Sequence, residues 1–121
     1  MVVAPCSMNT LSAIVHSRAD NLLVRAADVV LKERRRLVIM PRESPLHLGH
    51  CRLLVAACEL GAVVAPPMPA FYNRPRTIDE LVDHTVGRLL DLFDIDTGTV
   101  VPWQGVGTAV KARRGSAPRR G

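Results

Sequence analysis

The chain has 121 residues, of which 48% are apolar and 22% are charged, with a formal net charge of +5. This length and composition predict one small globular domain with a modest core. Residues 111–121 carry five basic residues and no acid, so residues 1–110 have no net charge. No aromatic residues interleave with these tail arginines, which argues against a specific nucleic-acid partner.

Cysteine usage and hydropathy exclude several other classes. Three cysteines without a C-x-x-C pair predict neither a disulfide framework nor a zinc site. Cys51 and Cys58 lie seven residues apart on one helix face and are predicted to be buried thiols. The uncharged run 60–73 contains three prolines and is shorter than the ~20 residues of a membrane span. The chain opens on an apolar strand without a basic leader, so we expect no membrane partner and a cytoplasmic protein.

Strands and helices alternate along the chain. Short apolar runs predict strands over 2–4, 37–40 and 62–65, and longer periodic segments predict helices over 10–16, 21–35, 47–60 and 77–92. Asp20 or Asn21 caps the second helix, and Thr77 with Glu80 forms a capping box on the last. The predicted inward residues are Leu22, Leu23, Ala26, Val29 and Val30 on the second helix and Leu48, Cys51, Leu54, Val55 and Cys58 on the third. This alternation predicts an α/β domain whose parallel sheet is covered on both faces.

Each predicted strand ends in a distinctive loop, and parallel strands place such loops at one sheet edge, where α/β proteins bind ligands. The loop 6–10 offers the hydroxyls of Ser7 and Thr10 at a helix start, which suits a phosphate group. Simple helix capping explains the same two residues equally well.

The second loop carries Arg42 and Glu43 between Pro41 and Pro45. A solvated ion pair is one interpretation of these charges. The flanking prolines stiffen the backbone at an edge of the sheet where ligands bind, which favours a functional interpretation of these two charges.

The third loop carries Tyr72 after Phe71, followed by Arg74 and Arg76, with Arg88 in the next helix. Arginine suits a pair of phosphate oxygens, although the aromatic pair could equally cover a core edge. Arg88 is the weaker candidate by pattern alone.

Two further groups of side chains have simple interpretations. Arg25, Lys32 and the arginines 34–36 fit a solvated helix face. His47 and His50 lie one turn apart with no third ligand in evidence, so we expect no metal site.

Five segments together resemble the UbiX family of flavin prenyltransferases. They are Pro-Cys-Ser-Met-Asn-Thr-Leu at 5–11, Arg-Ala-Ala-Asp-Val-Val-Leu-Lys-Glu-Arg-Arg at 25–35, Arg-Glu-Ser-Pro-Leu-His at 42–47, Pro-Pro-Met-Pro-Ala-Phe-Tyr at 66–72 and Trp-Gln-Gly at 103–105. The resemblance implies a Rossmann- or flavodoxin-like three-layer α/β/α fold over residues 1–105, matching the C-terminal part of the family. The family's Gly-Ala-Ser-Gly flavin loop does not precede Cys6, so an N-terminally truncated domain is expected. Residues 106–121 are expected to form a basic, disordered tail.

The resemblance also implies a function and a site. The family joins the dimethylallyl group of dimethylallyl phosphate to N5 and C6 of reduced FMN without a metal. The prenylated FMN then serves UbiD-type decarboxylases in ubiquinone biosynthesis or aromatic acid decarboxylation. By this match Ser7, Met8, Asn9, Thr10 and Arg42 bind FMN, Tyr72 and Arg88 bind dimethylallyl phosphate, and Arg25, Lys32 and Glu43 complete the catalytic site, with Met68 or Trp103 as an apolar wall. Family members build this site at subunit contacts of a homo-oligomer, a dodecamer.

Two alternatives stay open. Asn9 stands where many family members carry lysine, and the loop around it resembles the Pro-Ala-Ser-Ala-Asn-Thr loop of FMN-dependent cysteine decarboxylases. The second alternative is an inactive fragment that persists by assembling with intact homologues.

Overall fold

The computed structural model describes residues 1–96 and 98 of the chain. Its strands are β1 (Val2–Cys6), β2 (Val38–Pro41) and β3 (Val63–Val64), and its helices are α1 (Met8–Val15), α2 (Leu22–Lys32), α3 (Leu48–Glu59) and α4 (Ile78–Asp91), with a single 3-10 turn at Phe71–Asn73. All the predicted elements are present, with shifted ends. The first strand continues through Pro5, which was expected to stop it.

The three strands form one parallel sheet in the order β1-β2-β3. Val38 of β2 pairs with Val2 on one side and Val63 on the other. This arrangement confirms the predicted α/β fold with a parallel sheet. Within the described residues, the outer edge of β1 has no strand partner, so its backbone groups on that side are open.

The main core lies between one face of the sheet and the first three helices. Leu11 and Ile14 of α1, Val24 of α2 and Ile39 of β2 are all at most 1% exposed. Side chains alternate along a strand, so Met40 points to the face opposite Ile39. Met40 lines a cavity together with residues of α4. Helices therefore lie on both faces of the sheet, as the three-layer fold requires.

The predicted inward faces of α2 and α3 are only partly correct, because Val30 and Leu54 pack against the core whereas most of the other predicted residues are exposed. On α2 the buried residues are Val24 and Ala27, and Leu22 is 85% exposed. On α3 the only buried residue is Ala57, and both Cys51 and Cys58 are exposed. Apolar residues surround most of each helix, so periodicity alone cannot select the stripe that meets the core.

Coverage of the sheet also differs from the prediction. Strand β2 is largely buried, whereas β1 exposes Val2 at 44%, together with Ala4 and Pro5. As an edge strand with an apolar outer face, β1 leaves surface that a continuous buried strand would not. Among the described helices, none has the length and hydropathy needed to cross a lipid bilayer.

The helix caps follow the sequence closely. The Asn21 Oδ1 atom accepts a hydrogen bond from the Val24 amide at 2.9 Å, and the Thr77 Oγ1 atom accepts one from the Glu80 amide at 3.1 Å. The Glu80 carboxylate accepts from the Arg76 amide instead of closing the box on Thr77. These caps fix where α2 and α4 begin.

Candidate functional site

The loops that follow the strands meet at the carboxyl edge of the sheet. The Arg42 amide donates to the Cys6 carbonyl at 3.0 Å, and the Ala65 amide donates to the Ile39 carbonyl at 2.8 Å. These backbone bonds hold the starts of the second and third loops against the neighbouring strands. The edge therefore gathers the residues that the sequence singled out in each loop.

The first loop is organised as a helix cap. The Ser7 Oγ atom accepts from the Thr10 amide at 3.1 Å and donates to the Thr10 Oγ1 atom at 3.0 Å. Met8 is only 7% exposed and packs in the core, so it can offer a ligand its backbone amide but little of its side chain. Asn9 is exposed in the first turn of α1. Capping thus occupies the Ser7 hydroxyl and the Thr10 amide, whereas the hydroxyl hydrogen of Thr10 is not used by the cap.

Cys6 ends β1 directly before this loop and is fully buried. Burial raises the pKa of the Cys6 thiol because the charged thiolate loses its hydration. The thiol is therefore neutral at pH 7 and is not an activated nucleophile.

The second loop lines an open cavity of about 610 Å³ with Arg42 and Glu43 on one side and the prolines of the third loop on the other. The two charged side chains are exposed and do not pair with each other. The Glu43 Oε1 atom accepts from the Ser44 amide at 3.2 Å. Arg42 and Glu43 are thus free to face a ligand, unlike the solvated ion pair of the alternative interpretation.

Tyr72 and Arg88 line one cavity of about 290 Å³ between the third loop and α4. Tyr72 meets the ring of His84 edge-on, with centroids 6.3 Å apart. The Arg88 Nη1 atom lies 3.3 Å from the Asp91 Oδ2 atom, and the Arg88 side chain is 61% exposed. The guanidinium group therefore keeps donors available to a ligand in this cavity.

Pro66, Met68 and Pro69 line both of these cavities. These three apolar residues thus lie between the cavity of Tyr72 and Arg88 and the cavity of Arg42 and Glu43. Met68 is 76% exposed, so it is a wall that a ligand could cover. Trp103, the alternative wall, lies outside the described residues, as does the predicted tail 106–121.

The other two predicted site residues lie elsewhere. Arg25 pairs with Asp28 at 3.0 Å and Lys32 pairs with Glu33 at 3.3 Å, and the cavities that hold Tyr72 and Glu43 do not include them. Lys32 ends α2, close in sequence to Arg36. The carbonyl oxygen of Arg36 accepts a hydrogen bond from the amino group of Met1, at the opposite edge of the sheet. One copy of the chain does not bring Arg25 and Lys32 to the other site residues.

Sequence reasoning missed two residues that line the Tyr72–Arg88 cavity, His84 and Thr85 of α4. They precede Arg88 by four and three residues. That spacing places all three on one helix face, and it was the signal that could have found them. Among residues 1–96 and 98, no His, Cys, Asp and Glu side chains converge as three metal ligands.

Known proteins resemble this chain closely. The flavin prenyltransferase UbiX of Thauera aromatica is 56% identical over 105 residues, covering 87% of this chain and 54% of its own length. The flavin prenyltransferase UbiX of Escherichia coli K12 is 58% identical over 107 residues, covering 87% and 57%.

Solved structures give the same result for the fold. AnUbiX, crystallised with FMN and dimethylallyl pyrophosphate, aligns with a TM-score of 0.84 at 52% identity, covering 87% of this chain and 56% of that one. A dodecameric FMN-dependent UbiX-like decarboxylase from Escherichia coli O157:H7 aligns with a TM-score of 0.82 at 50% identity.

The chain spans about half the length of the curated relatives that it matches. The family model described as Flavoprotein matches residues 1–100, which is most of the chain. With this match, the parallel sheet and the loops gathered at its carboxyl edge, the chain belongs to the flavoprotein family.

Proposed function

We propose that this chain carries the prenyl-phosphate pocket and part of the flavin site of a flavin prenyltransferase. The enzyme joins the dimethylallyl group of dimethylallyl phosphate to reduced FMN, and a UbiD-type decarboxylase uses the prenylated product. The observation that carries this proposal is the cavity that brings Tyr72 and Arg88 together beside the one lined by Arg42 and Glu43. The names of the curated relatives support the same reaction.

The residues at the carboxyl edge fit FMN by the chemistry of their donors. The first-turn amides of α1, at Met8 and Asn9, have no acceptor within the helix and suit a phosphate. The hydroxyl of Thr10 and the guanidinium of Arg42 add further donors. When bound, reduced FMN supplies the nucleophilic ring atoms that receive the dimethylallyl group. In our proposal Ser7 contributes by capping α1 and so fixing these donors.

Departure of phosphate is the step that this pocket serves. The bond between the allyl carbon and the phosphate oxygen breaks, and its electron pair stays with phosphate. Arg88 and the Tyr72 hydroxyl donate to the phosphate oxygens as this charge develops. Met40, Met68 and Pro69 provide the apolar side of the cavity, which keeps water from the allyl group.

Glu43 has a separate role in the proposal. Its carboxylate is exposed at the end of the loop that would face the flavin, and it forms no ion pair within the described residues. We assign Glu43 the role of accepting and holding a proton while the flavin ring is substituted. Glutamine cannot perform this role.

Arg25 and Lys32 are explained if the protein assembles from several copies. Both side chains are more than half exposed, and within residues 1–96 and 98 they pair with neighbours on or next to α2. In our proposal they reach the site of a neighbouring copy. Apolar surface supports such assembly, since Ile78, Val82 and Val86 form an exposed stripe at four-residue spacing on α4. The UbiX-like structure from Escherichia coli O157:H7 is described as dodecameric.

The test incubates the chain anaerobically with reduced FMN and dimethylallyl phosphate, or dimethylallyl pyrophosphate, and weighs the flavin by mass spectrometry. We expect a gain of one C5H8 unit, and FMN fluorescence reports binding separately. Glu43→Gln should slow the gain while leaving FMN bound. An unchanged flavin mass with folded, FMN-bound protein would contradict the proposal. In that case cysteine-containing peptides are the next substrates, because the decarboxylase alternative acts on a thiol and a carboxylate.

A further inference from the structure

His47 caps helix α3 with its ring. Its Nδ1 atom accepts hydrogen bonds from the amide of Gly49 at 3.0 Å and from the amide of His50 at 3.3 Å. An acceptor role at Nδ1 requires a ring that is unprotonated at this atom. Serine, threonine, aspartate and asparagine are the usual residues at such a position, and none of these changes charge near neutral pH. A histidine cap therefore differs from the usual caps in one property, its response to acid.

The neighbouring residues are shaped around this ring. A Cβ atom added at Gly49 would lie 2.8 Å from the His47 Cε1 atom and 3.0 Å from Nδ1, so only glycine leaves the ring its place. The ring of His50 stacks on that of His47 with centroids 3.6 Å apart. The His50 Nδ1 atom is buried and has no hydrogen-bond partner in the part of the chain that the structure describes. A charge gained by His47 would therefore meet two helix-start amides and a second imidazole at close range.

The cap stands at one end of the loop that carries Arg42 and Glu43. At the other end, the Arg42 amide is held by the Cys6 carbonyl at 3.0 Å. Between these two points, the hydrogen bond found among the described residues is local, from the Ser44 amide to the Glu43 carboxylate. The position of the loop thus depends on its two ends, and only the His47 end is held through an ionisable side chain.

We propose that His47 is a positioning residue that holds the Arg42–Glu43 loop in place, and that protonation of its ring releases the loop. The consequence for prenyl transfer rests on the function proposed above, whereas the release of the loop does not. A histidine ring gains its proton between about pH 8 and 5. Protonation turns Nδ1 into a donor and places a positive charge at the positive end of the α3 dipole, so both effects oppose the cap. The Arg42–Glu43 loop is therefore acid-sensitive.

Apart from His50, the charged groups around His47 do not provide the same response. Helix α3 packs against α1 and β3, and neither α1 (Met8–Val15) nor β3 (Val63–Val64) contains a titratable side chain. The titratable and charged residues on the adjoining loop and the first turns of α3 are Arg42, Glu43, His50, Cys51 and Arg52. Of these, only His50 carries the same imidazole group as His47.

The test is an amide NMR titration of the chain from pH 7.5 to pH 5. As the pH falls, we expect the Gly49 and His50 amide signals to move upfield and the signals of the loop 42–44 to broaden or shift with them. His47→Asn keeps an oxygen acceptor that does not titrate, so these changes should disappear in that variant. Gly49→Ala displaces the ring and should give the loop signals of the acid form already at pH 7.5. At constant pH, the His50 amide should exchange about fivefold faster in His47→Ala than in His47→Asn, the effect of losing a typical N-cap.

Each outcome decides the proposal. His50→Gln retains the His47 cap, so it should preserve the titration; its loss there would assign the effect to His50. Loop signals that ignore pH, or that titrate equally in His47→Asn, would overturn the proposal. In the prenyl-transfer assay, the acid loss of rate should vanish in His47→Asn. If that assay shows no activity while the amides titrate as expected, the function fails and the cap stands.

Discussion

The Arg88–Asp91 pair allows the phosphate pocket to be tested in two directions. The Arg88 Nη1 atom lies 3.3 Å from the Asp91 carboxylate, with the side chains 61% and 44% exposed. A pair this exposed contributes at most about 1 kcal/mol, so Asp91 holds Arg88 only weakly. A phosphate in the cavity would compete with Asp91 for the same guanidinium group. Removing the Arg88 side chain should therefore weaken phosphate binding, whereas removing the Asp91 charge should strengthen it.

The expected magnitudes are unequal. Arg88→Ala removes a charge-assisted hydrogen bond worth about 1.5–3 kcal/mol. This energy corresponds to dimethylallyl phosphate binding that is roughly 10- to 150-fold weaker. Asp91→Asn removes only the weak competing pair, so it should strengthen binding by no more than about fivefold.

Isothermal titration calorimetry with dimethylallyl phosphate measures both effects, and dimethylallyl alcohol serves as the ligand without a phosphate. Arg76 is a matched control, since it is an exposed arginine four residues after Tyr72 that does not line the cavity. Arg76→Ala should leave the affinity within about a factor of two. Equal losses in Arg88→Ala and Arg76→Ala, or weaker binding in Asp91→Asn, would refute the assignment of Arg88 as the phosphate ligand.

The remaining predictions concern burial and assembly. Val24→Ala should lower the free energy of unfolding by about 1.5–3 kcal/mol, because Val24 is fully buried. Leu22→Ala on the same helix should lower it by under about 0.5 kcal/mol, because Leu22 is 85% exposed. Urea denaturation that gives the reverse order would be inconsistent with this core. At pH 8 a thiol reagent should label the exposed Cys51 and Cys58 quickly and the buried Cys6 slowly. The raised pKa of Cys6 keeps its thiol protonated, so its labelling should accelerate only at higher pH. Three equal rates would exclude a buried Cys6. The open β1 edge and the exposed apolar side chains should produce oligomers in light scattering, against which a clean monomer would count.

The sequence alone determined the class of fold and the places where chemistry gathers. Short β-branched runs alternating with periodic segments predicted the strands and α-helices found in residues 1–96, because these signals are local to a few residues. The caps at Asn21 and Thr77 were also predictable, since a capping side chain bonds to amides within three residues. The loops after the strands share one edge as a direct consequence of parallel pairing.

Which helix faces are buried and which site residues meet depends on packing between elements that are distant in the sequence. Cys51 and Leu22 lie on apolar helices but face solvent, because the packing of α1 between α2 and α3 selects other stripes. Tyr72 and Arg88 share a cavity because α4 lies beside the third loop and Met40, an arrangement that no local pattern encodes. Arg25 lies apart from them for the same reason: the distance between two helices depends on packing over the whole domain, whereas sequence patterns report only neighbours along the chain.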